Sequence, residues 1–265
     1  MKIKEIVSAL ERFAPLPLQD GFDNAGLQIG LTEVEATGAL LCLDVTEAVL
    51  DEAIALGHNL VISHHPLIFK GYKSITGKDY VERCILKAIK NDIVIYSAHT
   101  NLDNAYGGVN YKIAEKIGLK NLQVLEPKEN SLQDDLMQAG AGIVGELDEP
   151  ETELEFLKRI KKTFEVGCLR HNKLTGREIR KVALCGGAGA FLLSQAIRSG
   201  ADVFITGEIK YHDYFGHEGD ILMAEIGHYE SEQYTKEIFY SIIRDLFPNF
   251  ALQLSKINTN PIKYL

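Results

Sequence analysis

A chain of 265 residues, 46% hydrophobic and 25% charged, has the composition of an ordinary globular protein with core enough to fold without disulfide or metal staples. Its formal net charge of −9 disfavours nucleic acid as the main partner. The four cysteines, Cys42, Cys84, Cys168 and Cys185, are scattered and form no CxxC pair, which argues against a thiolate zinc site or a redox motif and fits a reducing, cytoplasmic setting.

The first residues, MKIKEIVSALERFAP, place Ile3, Ile6, Val7, Leu10 and Phe13 at helical spacing, and their charges break any signal-peptide core. No apolar run approaches the roughly 20 residues that cross a bilayer. Residues 38–45 read as a buried strand, with Thr46 capping a helix that reaches Leu56. Strands are then expected at 60–63, 93–97 and 122–125, with helices at 80–91 and 109–117, the latter stopped by Gly118. Residues 126–142 are polar and turn-rich and read as a linker. Beyond them the alternation resumes: strands at 143–146, 181–185, 202–206 and 220–224, helices at 152–164 and through Ile197. One long helix is expected from Gly227 to about Leu246, ended by Pro248. This pattern predicts an α/β protein of two domains, 1–127 and 128–265. Each has a largely parallel sheet flanked by helices, and the last segment is able to pack back on the first domain.

Open α/β sheets bind ligands beyond the carboxyl ends of their strands, and the polar clusters of this chain sit there. His64 and His65 close the run LVISHH. Imidazole is the commonest metal ligand, and two consecutive ones point in different directions, which suits two neighbouring ions; a helix cap or a buried hydrogen-bonded pair is the other reading. Asp103 lies in AHTNLDNAYGG, a loop dense in potential ligands, where turn hydrogen bonding is the alternative. In IGHYESE, His228 and Glu232 stand at i and i+4 and share one helix face, so they can hold one ion together, although taken alone such a pair is more often an ordinary capped, exposed first turn. Glu208 and His212 in TGEIKYHD form a rival i, i+4 pair.

Other motifs carry less. GYKSITGKD departs from a phosphate-binding P-loop in its spacing and in Asp79. CGGAGAF lacks the third glycine of a dinucleotide fingerprint, which leaves phosphate contact or close helix–strand packing for Gly186, Gly187 and Gly189. No GxSxG elbow or catalytic cysteine signature is present, so any chemistry points to a metal.

Together, SHHPLIF, AHTNLDNAYGG, TGEIKYHD and IGHYESE, in this order and with DNAGLQIG ahead of them, resemble the Nif-three-like family, whose bacterial members are labelled GTP cyclohydrolase I type 2 homologues. The resemblance implies two α/β domains facing a shared cleft, a dinuclear divalent metal centre and a ring-shaped homo-oligomer, typically a hexamer. Carried over by position, His64, His65, Asp103, His228 and Glu232 match the metal ligands. Glu232 would bridge the ions, with His65 and Asp103 on one and His64 and His228 on the other. His99, Glu208 and His212 match motif positions near the centre and are the candidates for proton transfer or substrate contact. Phe22 stands where many members have Trp, and the inserted domain of longer members is absent from the expected linker.

Imidazoles and carboxylates suit zinc, iron, manganese or cobalt, and five ligands shared by two ions leave positions for water. The resulting expectation is a metal-dependent hydrolase acting on a nucleotide or phosphate-containing small molecule. The alternative is a non-catalytic metal-binding scaffold or regulatory interaction protein. No membrane partner is expected.

Overall fold

The computed structural model describes residues 1–128, 139–217 and 219–265. Most of the stretch expected as a linker, residues 129–138, lies outside them. The chain divides into two compact units, Met1–Leu102 with Thr235–Pro261, and Asp103–Tyr234 with Ile262–Leu265.

The first unit begins with α1 (Ile3–Phe13), which buries Ile3, Ile6, Val7 and Leu10 on one face as their spacing requires. Strand β1 (Gly26–Ile29) follows, then β2 (Ala39–Cys42), α2 (Glu47–Leu56), β3 (Leu60–Ser63), α3 (Tyr80–Lys90) and β4 (Val94–Ser97). Thr46 Oγ1 accepts from Val49 N and Gly57 closes α2 at φ +68°, the cap residues that the sequence supplies at each end. The sheet runs β1-β4-β3-β2 and ends on β11 (Leu252–Leu254), a strand not expected from the sequence, which joins parallel to β2. Only β1 against β4 is antiparallel. Strands β2, β3 and β4 are buried at every position, as strands covered on both faces must be.

Helix α4 (Thr100–Asn104) carries the chain from the first unit into the second. There α5 (Val109–Ile117), β5 (Lys120–Pro127), β6 (Gly140–Thr152), α6 (Glu153–Thr163), β7 (Arg170–His171), β8 (Glu178–Cys185), α7 (Leu193–Arg198), β9 (Val203–Thr206), β10 (Leu222–Glu225) and α8 (His228–Glu232) follow. The sheet order is β5-β6-β8-β9-β10-β7. Its centre, β8-β9-β10, is parallel as expected, but β5/β6, β6/β8 and β7/β10 are antiparallel. The expected strand at 122–125 is therefore part of the second sheet. The expected long helix from Gly227 is two helices, α8 and α9 (Thr235–Leu246), and α9 belongs to the first unit.

No helix among the described residues is long and apolar enough to cross a membrane. Cys42, Cys84 and Cys185 are buried, and burial pushes the Cys42 and Cys84 thiols up, as for small apolar residues rather than reactive thiolates.

Candidate metal centre

In the first unit, His64 and His65 leave the carboxyl end of β3, and their amides both donate to Leu43 O (3.1 and 3.0 Å) just beyond β2. His99 follows the end of β4. The three imidazoles form a triangle with ring centroids 4.9 to 5.4 Å apart, and each offers a ring nitrogen within 4.8 Å of the others.

Each ring is held through Nδ1. Nδ1 of His64 lies 2.9 Å from Ala98 O, Nδ1 of His65 2.7 Å from Asp44 Oδ1, and Nδ1 of His99 2.7 Å from Asp23 Oδ1. A carbonyl or an ionised carboxylate can only accept, so Nδ1 carries a proton, and in the neutral ring Nε2 carries the lone pair. This arrangement fixes metal-ligating histidines and raises their basicity. Burial pushes the Asp23 carboxyl up, but bonds from His99 and Thr100 outweigh it and hold the group at about 2. Asp44 is likewise held below its ordinary value, by His65 and Thr259 against the effect of burial. Both therefore remain acceptors at neutral pH.

The supports are themselves anchored. Asp23 accepts from Thr100 N and Thr100 Oγ1 (3.0 and 2.5 Å), while its neighbours Asn24 and Gln28 hold Ile68 O and Ile68 N (2.6 and 3.1 Å). The DNAGLQ motif thus clamps the loop that follows the histidine pair. Phe22 packs on Phe69 at 6.3 Å, and Phe69 lies edge-on to His99 at 6.2 Å. Asp44 Oδ2 accepts from Thr259 Oγ1, a residue 215 positions away on the segment after β11. If His65 ligates a metal ion, Asp44→Ala is expected to weaken metal retention by about 10- to 100-fold, the usual cost of losing a carboxylate behind a ligating histidine. Thr259→Val should give a smaller loss of the same kind. Competition against a chromophoric chelator measures both.

In the second unit, α8 brings Glu232 Oε2 3.1 Å from His228 Nε2, and Glu208 Oε1 lies 2.9 Å from His228 Nδ1. Asp103, on α4, offers a carboxylate oxygen within 4.8 Å of one from Glu232. Glu232 is buried although ionisable, a placement that needs a compensating charge. The i, i+4 spacing of His228 and Glu232 is what puts both groups on one side of a five-residue helix. His212 lines a cavity with Glu208.

The glycine-rich turn after β8 resolves as close packing. The amides of Gly186, Gly187 and Gly189 donate to Asn110 Oδ1 (2.9 Å), Ser231 Oγ (3.0 Å) and Thr206 Oγ1 (3.0 Å). A Cβ on Gly187 would stand 2.3 Å from Glu232 Oε1. The turn is thus a seat for α8. Asn110 links it to α4, its Nδ2 donating to Asp103 O at 3.1 Å. The loop of GYKSITGKD also spends its amides internally: Thr76 N and Lys78 N donate to Glu82 Oε2 (2.7 and 2.9 Å).

Sequence reasoning did not single out Asp23, Asp44 or Asn110. Two signals were available: Asp44 is a carboxylate at the carboxyl end of the strand beside the histidine pair, and Asp23 opens the DNAGLQIG motif.

Two helix-flanked sheets, with histidine and carboxylate groups that could hold a metal ion at the carboxyl ends of their strands, define an α/β protein with a candidate metal site. Residues 1–261 match the family described as Duf34/NIF3 (NGG1p interacting factor 3), and the chain belongs to it. A GTP cyclohydrolase 1 type 2 homolog of Clostridium perfringens is 39% identical over 235 residues, 88% of this chain and 87% of that protein. The crystal structure of Staphylococcus aureus protein SA1388 superposes with a TM-score of 0.91 at 31% identity, over 100% of this chain and 99% of that one. A Bacillus cereus protein related to NIF3 gives 0.89 at 28%, with the same coverage.

Proposed function

We propose that this chain holds two divalent metal ions through His64, His65, Asp103, His228 and Glu232, and that it is a hydrolase of a nucleotide or another phosphate-containing small molecule. The observation that carries the reading is the fixing of the imidazoles: His64, His65 and His228 each have Nδ1 against an oxygen acceptor, which makes Nε2 the nitrogen that would ligate, and Nε2 of His228 lies 3.1 Å from Oε2 of Glu232, the carboxylate proposed beside it. Imidazoles held through Nδ1 by a carbonyl or carboxylate are oriented as metal-ligating histidines are. The absence of thiolates from the donor set fits zinc, iron, manganese or cobalt in an open rather than a closed structural site.

When bound, such ions supply a hydroxide-like nucleophile at neutral pH and neutralise phosphoryl charge. The chain's own residues supply the rest. Asp44 and Glu208 orient His65 and His228. His99 stands beside the ligand histidines with its Nδ1 proton on Asp23, and on this reading it accepts or returns a proton at Nε2. His212 and Glu208 face substrate. The relatives' name, GTP cyclohydrolase 1 type 2 homolog, is consistent with a nucleotide substrate.

A homo-oligomer, a ring-shaped hexamer, is part of the same reading. Its support in this chain is a small apolar groove at the edge strand β1, where Leu31 and Ile89 are 74% and 60% exposed. Light scattering checks it.

Elemental analysis of purified protein should return about two metal ions per chain, falling by at least half in Asp103→Ala. The loaded protein should turn over GTP or a member of a phosphodiester panel, and Asp103→Ala should lose at least about 100-fold, since misplacing a reacting group by about 1 Å already costs that much. Full metal occupancy without turnover of any of these would reject the hydrolase in favour of a metal-binding scaffold.

A further inference from the structure

The second unit contains a cavity of about 540 Å³ beyond the carboxyl ends of β8 and β9, within the roughly 300–1,000 Å³ of small-molecule sites. Its walls come from the turn that enters α7 and from the segment after β9. Phe191 and Phe215 line it and are 61% and 57% exposed. A single exposed Phe means little, but two that line one concavity expose an aromatic surface to whatever enters it. Around Phe215 the rings of Tyr211 and His212 lie 5.3 and 6.2 Å away, which fixes a cluster of flat faces rather than a flexible apolar tail.

The polar groups on the same walls have a definite chemistry. Lys210 contributes a cation, and Glu208 and Asp213 contribute carboxylates that can accept from ring N–H or amino groups. Glu208 has a second engagement, since its Oε1 holds Nδ1 of His228. One wall of the cavity is therefore the carboxylate that orients a proposed metal ligand.

We propose that this cavity is the recognition site for the ring of the substrate. It takes a planar nitrogen heterocycle carrying a phosphate, the ring stacked against Phe191 and Phe215, its N–H edge on the carboxylates and its phosphate neutralised by Lys210. The inference deepens the hydrolase reading and rests on it for the link to the metal centre, but ring binding itself requires no metal. Aromatic faces accept any base by stacking, so affinity comes from the ring and choice among rings from the carboxylates.

Calorimetric titration of the full chain, metal-loaded and metal-stripped, with adenosine and guanosine monophosphates, the free nucleosides and ribose 5-phosphate tests this. At least one nucleotide should bind both forms, with ribose 5-phosphate at least tenfold weaker. Phe191→Ala and Phe215→Ala should each weaken the nucleotide at least tenfold while leaving metal content unchanged. Lys210→Gln should weaken the nucleotide and spare the nucleoside. Ribose 5-phosphate binding as tightly as the nucleotide, wild-type affinity in both Phe variants, or no nucleotide binding at all would overturn the proposal. Ring binding in a protein that retains no metal would uphold this site and reject the metal centre, so the two readings fail separately.

Discussion

Replacing Glu232 with Gln is expected to strip the protein of metal while leaving its fold intact. Glu232 is buried at the end of α8 with Oε2 3.1 Å from His228 Nε2. On the proposed reading it serves both ions, so its loss removes a ligand from each. The effect on metal affinity should exceed the roughly 10- to 100-fold that loss of an outer-shell partner costs. Stability moves the other way in the metal-free state. A buried carboxylate pays for desolvation, and an amide of the same shape pays less. Thermal unfolding therefore discriminates. In the wild type, metal at 1,000 times its dissociation constant should add about 4 kcal/mol of stability, and this increment should nearly vanish in the variant. After chelator treatment the variant should unfold at or above the wild-type temperature. A variant that unfolds early without metal and still binds it normally would show that Glu232 is a packing residue.

How much of this could be read from the chain follows the range of the forces involved. Strands β2, β3 and β4 and helices α2, α3, α5 and α6 were legible because burial pattern and caps are local: Thr46, Asp79 and Thr152 each accept the amide three residues on. Strands β1, β7 and β11 have four, two and three residues and lie at sheet edges, where only a distant partner defines them. Strand β6 runs past its apolar start through Leu147–Thr152, a polar stretch with Pro150 that reads as a loop and meets β8 with a register shift. Nothing in the sequence marks the break between α8 and α9, because neither Gly nor Pro stands between Glu232 and Thr235. Of the candidate site, His64, His65, Asp103, His228 and Glu232 stood out by residue type and place, and the family resemblance is what joined them into one ligand set. The half that orients them was not. Asp23 meets His99 across 76 residues and Thr259 meets Asp44 across 215, and no local spacing encodes such pairs.

The glycine turn offers the sharpest separation of a site defect from a folding defect. In Gly187→Ala the new Cβ would stand 2.3 Å from Glu232 Oε1 and 3.4 Å from His228 Cε1. The first contact is impossible, but its other atom is the far end of a side chain, and a carboxylate can swing away. The backbone at φ +59° costs an L-residue about 1–2 kcal/mol, which a domain of this size survives. What the proposed metal binding does not survive is the displacement of the carboxylate by about 1 Å, a shift that costs on the order of 100-fold where geometry governs function. The expected variant is folded, with an unfolding temperature a few degrees below wild type, and deficient in metal. Gly207→Ala is the contrast. Its Cβ would meet Gly187 O at 2.6 Å and His228 Cα at 2.9 Å. These are backbone atoms that cannot swing aside, so the whole seat of α8 must move, and the loss should appear first in stability. Melting curves and metal content of the two variants, measured side by side, place the turn's role. Equal loss of metal and of fold in both would mean that the turn only packs, whereas metal lost from a stable Gly187→Ala would mean that Gly187 is there to leave room for the carboxylate of Glu232.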